Sequence, residues 1–412
     1  MLRRLINSIG PGIFILGYII GTGSVTSMAS SGARFGLSLL WALALSCLFT
    51  FVMNVAISRV TMLHQKTILQ VIRERFGLTA TLLIFAGVML TVIASVMGLM
   101  GIVSDVIREV SIPIVGGNGI PPLLSVLVIS GLLYYLYAAG NQNFFLQAMA
   151  ILVGVMSTCS LLTVVFIAPS PATILQGLIP SLPEGNDAPL ILAGMVGTTM
   201  ATVCLVTRSY LVAEKGWSVN DLRAEQRDSA IALTFTFLVS AAIMIAAAGT
   251  MHAEGIEVSS AMDMVKTLTP LAGSLATVVF VVGIIAAGIS STFPNYLLGP
   301  WAVFDLTGRP REMHHPRVRI AVLAIALLGL VVPIFGGRPV ILMIASQAVS
   351  PVVMPLLVLF VTLLLTDKRH TDRYQNPRWL TIGLWVTFIF SLFVSYAGIV
   401  GLTRFLQSLG SG

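Results

Sequence analysis

Charge is what this chain lacks. Only 9% of its 412 residues are Asp, Glu, Lys or Arg, while 57% are hydrophobic; an ordinary soluble domain is about a quarter charged. Long uncharged apolar runs exclude a soluble enzyme, a disordered chain, a fibre and a nucleic-acid binder. Cysteine is scarce too. Cys47, Cys159 and Cys204 all fall inside apolar runs, and an odd number of thiols away from loops makes no disulfide framework. Acidic and imidazole groups are missing where they would carry most chemistry. None of the 16 acidic residues falls in the core of an apolar run, and His64, His252, His314, His315 and His370 all lie between runs. There is no His-Glu-x-x-His motif, no Walker loop and no intramembrane Asp pair. The chain therefore does not read as an enzyme or an ATP-driven pump, and nothing in it calls for a cofactor. The first apolar run continues past position 30 without a convincing cleavage site, so it reads as a span rather than a removed leader.

What is present is a series of eleven apolar runs, near 11–33, 37–60, 78–104, 121–138, 143–167, 188–212, 230–250, 270–298, 318–335, 338–363 and 378–404. Each is about long enough to cross a bilayer as a helix. Helix is the only open-chain solution, because backbone in hydrocarbon must satisfy its own hydrogen bonds. The expected fold class is an all-α integral membrane protein. Of the 23 basic residues, all but Arg34, Arg108, Lys266, Arg338 and Arg404 lie on the side of Arg3 and Arg4. That bias puts the N-terminus in the cytoplasm and the C-terminus outside, in a multi-pass protein of a bacterial-type plasma membrane. The basic loop from Lys368 to Arg378 would meet anionic lipid, so the bilayer is a partner and nucleic acid is not. Oligomeric state stays open.

Two runs are interrupted in mid-span. The first carries Gly21-Thr22-Gly23-Ser24, and the sixth carries Gly194 and Gly197-Thr198-Thr199. They are five runs apart and so cross in opposite directions. Paired interruptions at corresponding positions point to an inverted-repeat transporter with a midplane site. The expected units are 11–167, 188–363 and an additional span at 378–404. A plainer alternative is that these glycines only let helices pack closely.

Several stretches carry a resemblance. Gly10-Pro11-Gly12, Gly32-Ala33-Arg34-Phe35-Gly36 followed by Leu39-Leu40-Trp41, and Gly177-Leu178-Ile179-Pro180 are three of them. Val196-Gly197-Thr198-Thr199, Ala286-Ala287-Gly288-Ile289-Ser290-Ser291-Thr292 and Ser346-Gln347 are the others, with a Gln usual at Ile289. At these residues the chain resembles the Nramp family of proton-coupled metal-ion transporters. The resemblance implies a LeuT-type fold of five-plus-five inverted repeats with helices 1 and 6 broken. It also implies a site. Family members carry Asp-Pro-Gly-Asn in helix 1, where this chain has Gly21, Thr22, Gly23 and Ser24. They carry Met-Pro-His in helix 6, where it has Ala201, Thr202 and Val203. The family's metal-ligand positions therefore match Gly21, Ser24 and Ala201, none of which supplies the usual ligand. The family's helix 3 carboxylates for protons are also absent around Gly87, Ala94 and Met97.

The residues themselves describe a neutral, hydroxyl-rich site. Substrate-binding candidates are Gly21, Thr22, Gly23, Ser24, Thr198, Thr199, Ala201, Thr202 and Gln347, with Cys204 a further candidate. Each Ser or Thr can instead bond back to the carbonyl one turn earlier. A dehydrated divalent cation usually needs carboxylate, imidazole or thiolate ligands. A hard, partly hydrated ion such as Mg²⁺ suits this site better than Mn²⁺ or Fe²⁺. Two alternatives remain: a transporter of a small organic or anionic solute held at half-helix N-termini, and a binding homologue that no longer transports. Arg208, at the inner end of the sixth run, either lines an exit vestibule or extends to the headgroups beside Trp217, with Asp305 as a candidate partner. Asn54 reads as glue between helices, and Asn295 as facing protein.

Overall fold

The computed structural model describes residues 20–139, 142–307, 315–366 and 376–410. The first half of the first expected span lies outside them with Gly10-Pro11-Gly12, as do Arg3, Arg4, Arg309, Arg311, His314, Lys368, Arg369, His370 and Arg373. Among the described residues there is no strand, and ten helices are long and apolar enough to cross a membrane.

The second half of the first span is α1 (Thr22–Phe35), followed by α2 (Leu40–His64) and α3 (Ile68–Val115). Next come α4 (Pro122–Ala139), α5 (Gln142–Ile167) and a short helix at Pro171–Gly177. The sixth span is two helices, α6 (Ala188–Thr199) and α7 (Thr202–Glu214). Then follow α8 (Leu222–Thr250), α9 (Ala276–Thr307), α10 (Pro316–Leu328), α11 (Pro339–Thr366) and α12 (Arg378–Gly410). The apolar runs located these helices but not their ends. α3 starts at a Thr67–Gln70 capping box, turns at Gly77 (φ 83°), and continues past the expected residue 104 to Val115. Helical hydrogen bonding does not stop where hydropathy does, so Asp105, Arg108 and Glu109 extend the helix beyond its apolar stretch.

Burial sorts the helices into centre and rim. The central apolar stretch of the span Ala188–Glu214 is wholly buried, whereas α4 and the apolar part of α5 are 33% and 28% buried. The rim helices turn Val128, Tyr135, Val165 and Phe166 outward, where lipid tails cover them without hydrophobic cost. α11 packs against α3, α6 and α12, while α8 packs against α1 and α2. Arg34 ties the end of α1 to Asp187, just before α6, and to Glu257 at 3.0 Å.

The sixth span breaks at Met200–Ala201, not at the expected glycines. Met200 leaves the helix at φ −101°, ψ 46°, and Ala201 is extended at φ −66°, ψ 128°. Neither residue is a helix breaker, so the break is held from outside. Ser350 of α11 accepts a hydrogen bond from the Thr202 amide at 2.9 Å, and its hydroxyl lies 3.2 Å from that of Thr202. The hydroxyl of Thr91 on α3 sits 3.5 Å from the Thr202 hydroxyl. Gly194 and Gly197 instead sit within α6 as packing residues. A Cβ at Gly197 would lie 2.1 Å from the Gln347 carbonyl oxygen, so backbone meets backbone there.

Two predictions follow from this packing. Ser350→Ala leaves the buried Thr202 amide without its partner and should lower stability by about 1–3 kcal/mol, read as a drop in thermal melting in detergent; an unchanged melt would show that the break does not depend on Ser350. Gly197→Ala should cost about 1–3 kcal/mol through overpacking, whereas Gly131→Ala, with open space around its Cβ, should be neutral or stabilising by up to about 1 kcal/mol. Equal melting shifts in the two variants would contradict the packing role.

Candidate functional site

The break opens into a small cavity lined by the first turns of two half-helices. From α1 come Gly21 and Gly23; from α7 and its cap come Ala201, Val203 and Cys204. Thr198 closes one side from the end of α6, and Met343 and Gln347 close another from α11. Ser95 and Leu99 of α3 and Ser291 of α9 complete the wall. Of the expected residues, Gly21, Gly23, Thr198, Ala201 and Gln347 thus share one cavity, and Cys204 joins them.

Four expected residues turn elsewhere. Thr22 donates to the Ile284 carbonyl of α9 at 3.0 Å, and Ser24 pairs with the Ser240 hydroxyl of α8 at 3.3 Å. Thr199 bonds back to the Met195 carbonyl at 3.2 Å, the plain helical alternative for a buried threonine. Thr202 is occupied with Ser350 and Thr91. These hydroxyls fix the walls rather than face the void.

Thr198 and Ser95 differ from them. Each is more than nine-tenths buried, at 6% and 7% exposure, lines the cavity, and has no hydrogen-bond partner among the described residues. Two hydroxyls are therefore free to bond whatever enters. The Gln347 amide Nε2 reaches only the Ser346 hydroxyl, at 3.4 Å.

No charged side chain lines the cavity. Its polarity comes from side-chain dipoles and backbone ends. α1 begins after Gly21 and α7 after Ala201, neither start has a side-chain cap, and neither first turn holds an acidic residue. Apart from the Thr202 amide, which Ser350 takes, the first-turn amides at both positive helix ends have no side-chain cap. The C-terminus of α6 at the same break carries the opposite sign, and its Thr199 carbonyl accepts from the Thr50 hydroxyl at 3.4 Å.

The sequence missed Ser95, Leu99, Val203, Ser291 and Met343. Ser291 lies inside one of the stretches that carry the family resemblance, and Met343 stands one turn before Gln347 on the same face of α11. Ser95 had no such signal, because only packing turns that face of α3 inward. Met343 brings a thioether to a cavity whose α7 side has none, at Ala201. It fills the gap left by two glycines: a Cβ at Gly98 would lie 2.8 Å from its sulfur, and one at Gly23 2.6 Å from its methyl. It packs with its methyl towards α1.

Arg208 neither extends to headgroups nor pairs with Asp305. It is fully buried and bonds Glu225 and Asp228 of α8. Asp305 instead accepts from the Thr67 hydroxyl at 2.5 Å and, through its backbone carbonyl, from Arg73. Away from the spans, burial raises the Asp263 carboxyl, but bonds from the Ser259 and Ser260 amides and the Ser259 hydroxyl outweigh it and hold Asp263 below the usual carboxylate range.

The chain matches known proteins over nearly its whole length. It is 25% identical to a divalent metal cation transporter, MntH, of Bradyrhizobium diazoefficiens, over 93% of this chain and 87% of that one. A manganese transporter of Eremococcus coleocola has a similar fold, with a TM-score of 0.76 at 18% identity over 98% of this chain and 87% of its own. MhsT, solved in complex with L-phenylalanine, shares the LeuT-type architecture at a TM-score of 0.61 and 14% identity, over 96% of this chain and 98% of its own. The family model for natural resistance-associated macrophage protein-like chains matches residues 12–401, and this multi-pass membrane protein belongs to that Nramp family.

Proposed function

We propose that the chain is a secondary transporter of a bacterial inner membrane that moves a divalent cation by alternating access, with the cation keeping part of its water. One observation carries the reading: the cavity at the break is lined by residues with hydroxyl and amide side chains but by no carboxylate or imidazole. Relatives across the family are named divalent metal cation transporters. In a neutral site a bare Mn²⁺ or Fe²⁺ lacks the ligands that replace its hydration shell. Mg²⁺ dehydrates reluctantly and keeps several waters, which neutral oxygens can hold. Thr198, Ser95 and Gln347 would bond those waters, while Thr22, Ser24, Thr199 and Thr202 keep the two half-helices in place. In this reading the chain is no enzyme. Residues 11–167 and 188–363 form the inverted repeats, 378–404 adds the last span, and the N-terminus is cytoplasmic with the C-terminus outside.

The test is uptake of Mg²⁺ and Mn²⁺ into proteoliposomes against empty liposomes, with and without a pH gradient. Saturable Mg²⁺ uptake exceeding that of Mn²⁺ is expected. Losing one hydrogen bond of about 1 kcal/mol should raise the KM of Thr198→Ala or Gln347→Ala roughly fivefold. No uptake of either ion under any gradient rejects the cation.

A second reading has its own observation, two helix starts that meet at the cavity without a side-chain bond from their own N-cap residues. Half-helix N-termini hold carboxylates in transporters of this architecture, and MhsT was solved with an amino acid bound. Under this reading small carboxylates raise the melting temperature of the purified protein, Thr198→Ala reduces that rise, and Mn²⁺ does nothing. Saturable binding without flux would identify a homologue that binds but does not transport.

A further inference from the structure

One face of α1 carries polar groups that neither the cavity nor the packing uses. The helix turns Ser24 and Gly32 towards α8: Ser24 pairs with Ser240, and a Cβ at Gly32 would lie 2.3 Å from the Met244 carbonyl oxygen. A second face begins at Gly23, which lines the cavity and where a Cβ would meet Met343 and Gln347 of α11. Thr26, Ser27, Ser30 and Arg34 follow Gly23 by three, four, seven and eleven residues, so the helical repeat stacks them on that same face. The file runs about 16 Å from the cavity to the end of the helix, where Arg34 bonds Asp187 and Glu257.

The hydroxyls in this file differ from other buried ones. Thr50, Thr91, Thr199 and Thr362 each donate to the carbonyl four residues earlier. Thr26, Ser27 and Ser30 do not. They are 0%, 0% and 3% exposed, and among the described residues none of their hydroxyls has a hydrogen-bond partner. Ser31, at the edge of the α8 face, is a fourth. A buried hydroxyl left unbonded is a net cost to the closed packing. Three such costs stand in line between a cavity and a surface, and they are offset when that face of the helix is wetted.

We propose that this face of α1 is a water-bearing track, along which a hydrated cation passes between the cavity and the end of the helix marked by Arg34. Water bound to a cation turns its hydrogens outward, and neutral hydroxyl oxygens accept them without stripping the ion. Thr26, Ser27 and Ser30 serve the hydration shell on the way, as Thr198 and Ser95 do in the cavity. Arg34 joins α1 to Asp187 at the start of α6 and to Glu257 between α8 and α9, and so closes the track in this structure. That a cation uses the track rests on the transporter reading above; that water reaches it does not.

The first experiment needs no cargo. Ser27→Cys and Ser30→Cys change little in volume, and in the reconstituted full-length protein both should react with a small hydrophilic thiosulfonate, counted by intact mass beyond the labelling of the wild-type thiols. Met28→Cys, equally buried but on the α8 face, should stay unlabelled. Releasing the closure with Arg34→Gln should speed labelling of Ser30→Cys about fivefold, the factor that one exposed ion pair supplies. Protection of both cysteines with and without Arg34→Gln, or equal labelling of Met28→Cys, overturns the track. A second variant decides where a cysteine variant does not fold. Thr26→Val, Ser27→Ala and Ser30→Ala combined remove hydroxyls that bond nothing in the closed packing, so the protein should melt no lower than wild type; a lower melt would give those groups a structural role instead. In proteoliposomes the same variant should lower the maximal rate of Mg²⁺ uptake and leave its KM unchanged, and an unchanged rate takes the cation off the track. Absence of Mg²⁺ uptake in the wild type rejects the cation reading and leaves the labelling result standing.

Discussion

Everything polar in this structure depends on the constraint that a backbone surrounded by hydrocarbon has no water to bond. A helix broken there must have its freed amides and carbonyls satisfied by the rest of the protein. In the sixth span that role falls to Ser350, which takes the Thr202 amide, and to Thr91, which braces the Thr202 side chain. The break is a tertiary feature imposed on residues with no local reason to leave the helix. The cavity follows from it, because separating α6 from α7 places a carbonyl end and an amide end side by side at one point. α1 adds a second amide end, and the void between them is bounded by two hydroxyls that nothing else uses.

Polarity and charge are kept apart along α7. Its first turn faces the cavity with backbone dipoles and a thiol, and about 9 Å further on the same helix face holds Arg208 among Glu225, Asp228 and Ser58. A neutral cavity places no fixed charge against a hydrated ion or a small carboxylate, and leaves the sign preference to helix ends. The charged cluster fastens the helix that forms the cavity floor. Because α7 is short and flanked by an extended residue, its orientation depends on these few contacts rather than on continuity with α6.

The outer contacts follow the same logic. Arg34 at the end of α1 reaches Asp187 and Glu257, so α1 and α6 are tied together at their ends remote from the cavity by an ion pair. Single exposed ion pairs contribute little to stability. Their value here is positional: they join the end of α1 to the start of α6 across residues remote in sequence.

The sequence by itself determined the membrane character, the number and order of helices and the absence of charge from the site, because hydrocarbon solvation acts on composition alone and length sets the span. Its glycines also marked Gly21, after which α1 begins, and the family resemblance marked the stretches around Thr198, Ser291 and Gln347. The position of the second break was legible only through the family resemblance at Ala201, Thr202 and Val203, not through local pattern. The glycines at 194 and 197 looked like the interruption, but they proved to be where α6 meets the backbone of α11. Nor could local pattern separate Thr198, which faces the void, from Thr199, which bonds its own helix, since the two differ only in rotation about an axis that packing sets. Only the tertiary structure brought Ser95 and Met343 to the cavity and Glu225 to Arg208, because those meetings join helices far apart in the chain, and no local propensity encodes which faces will touch.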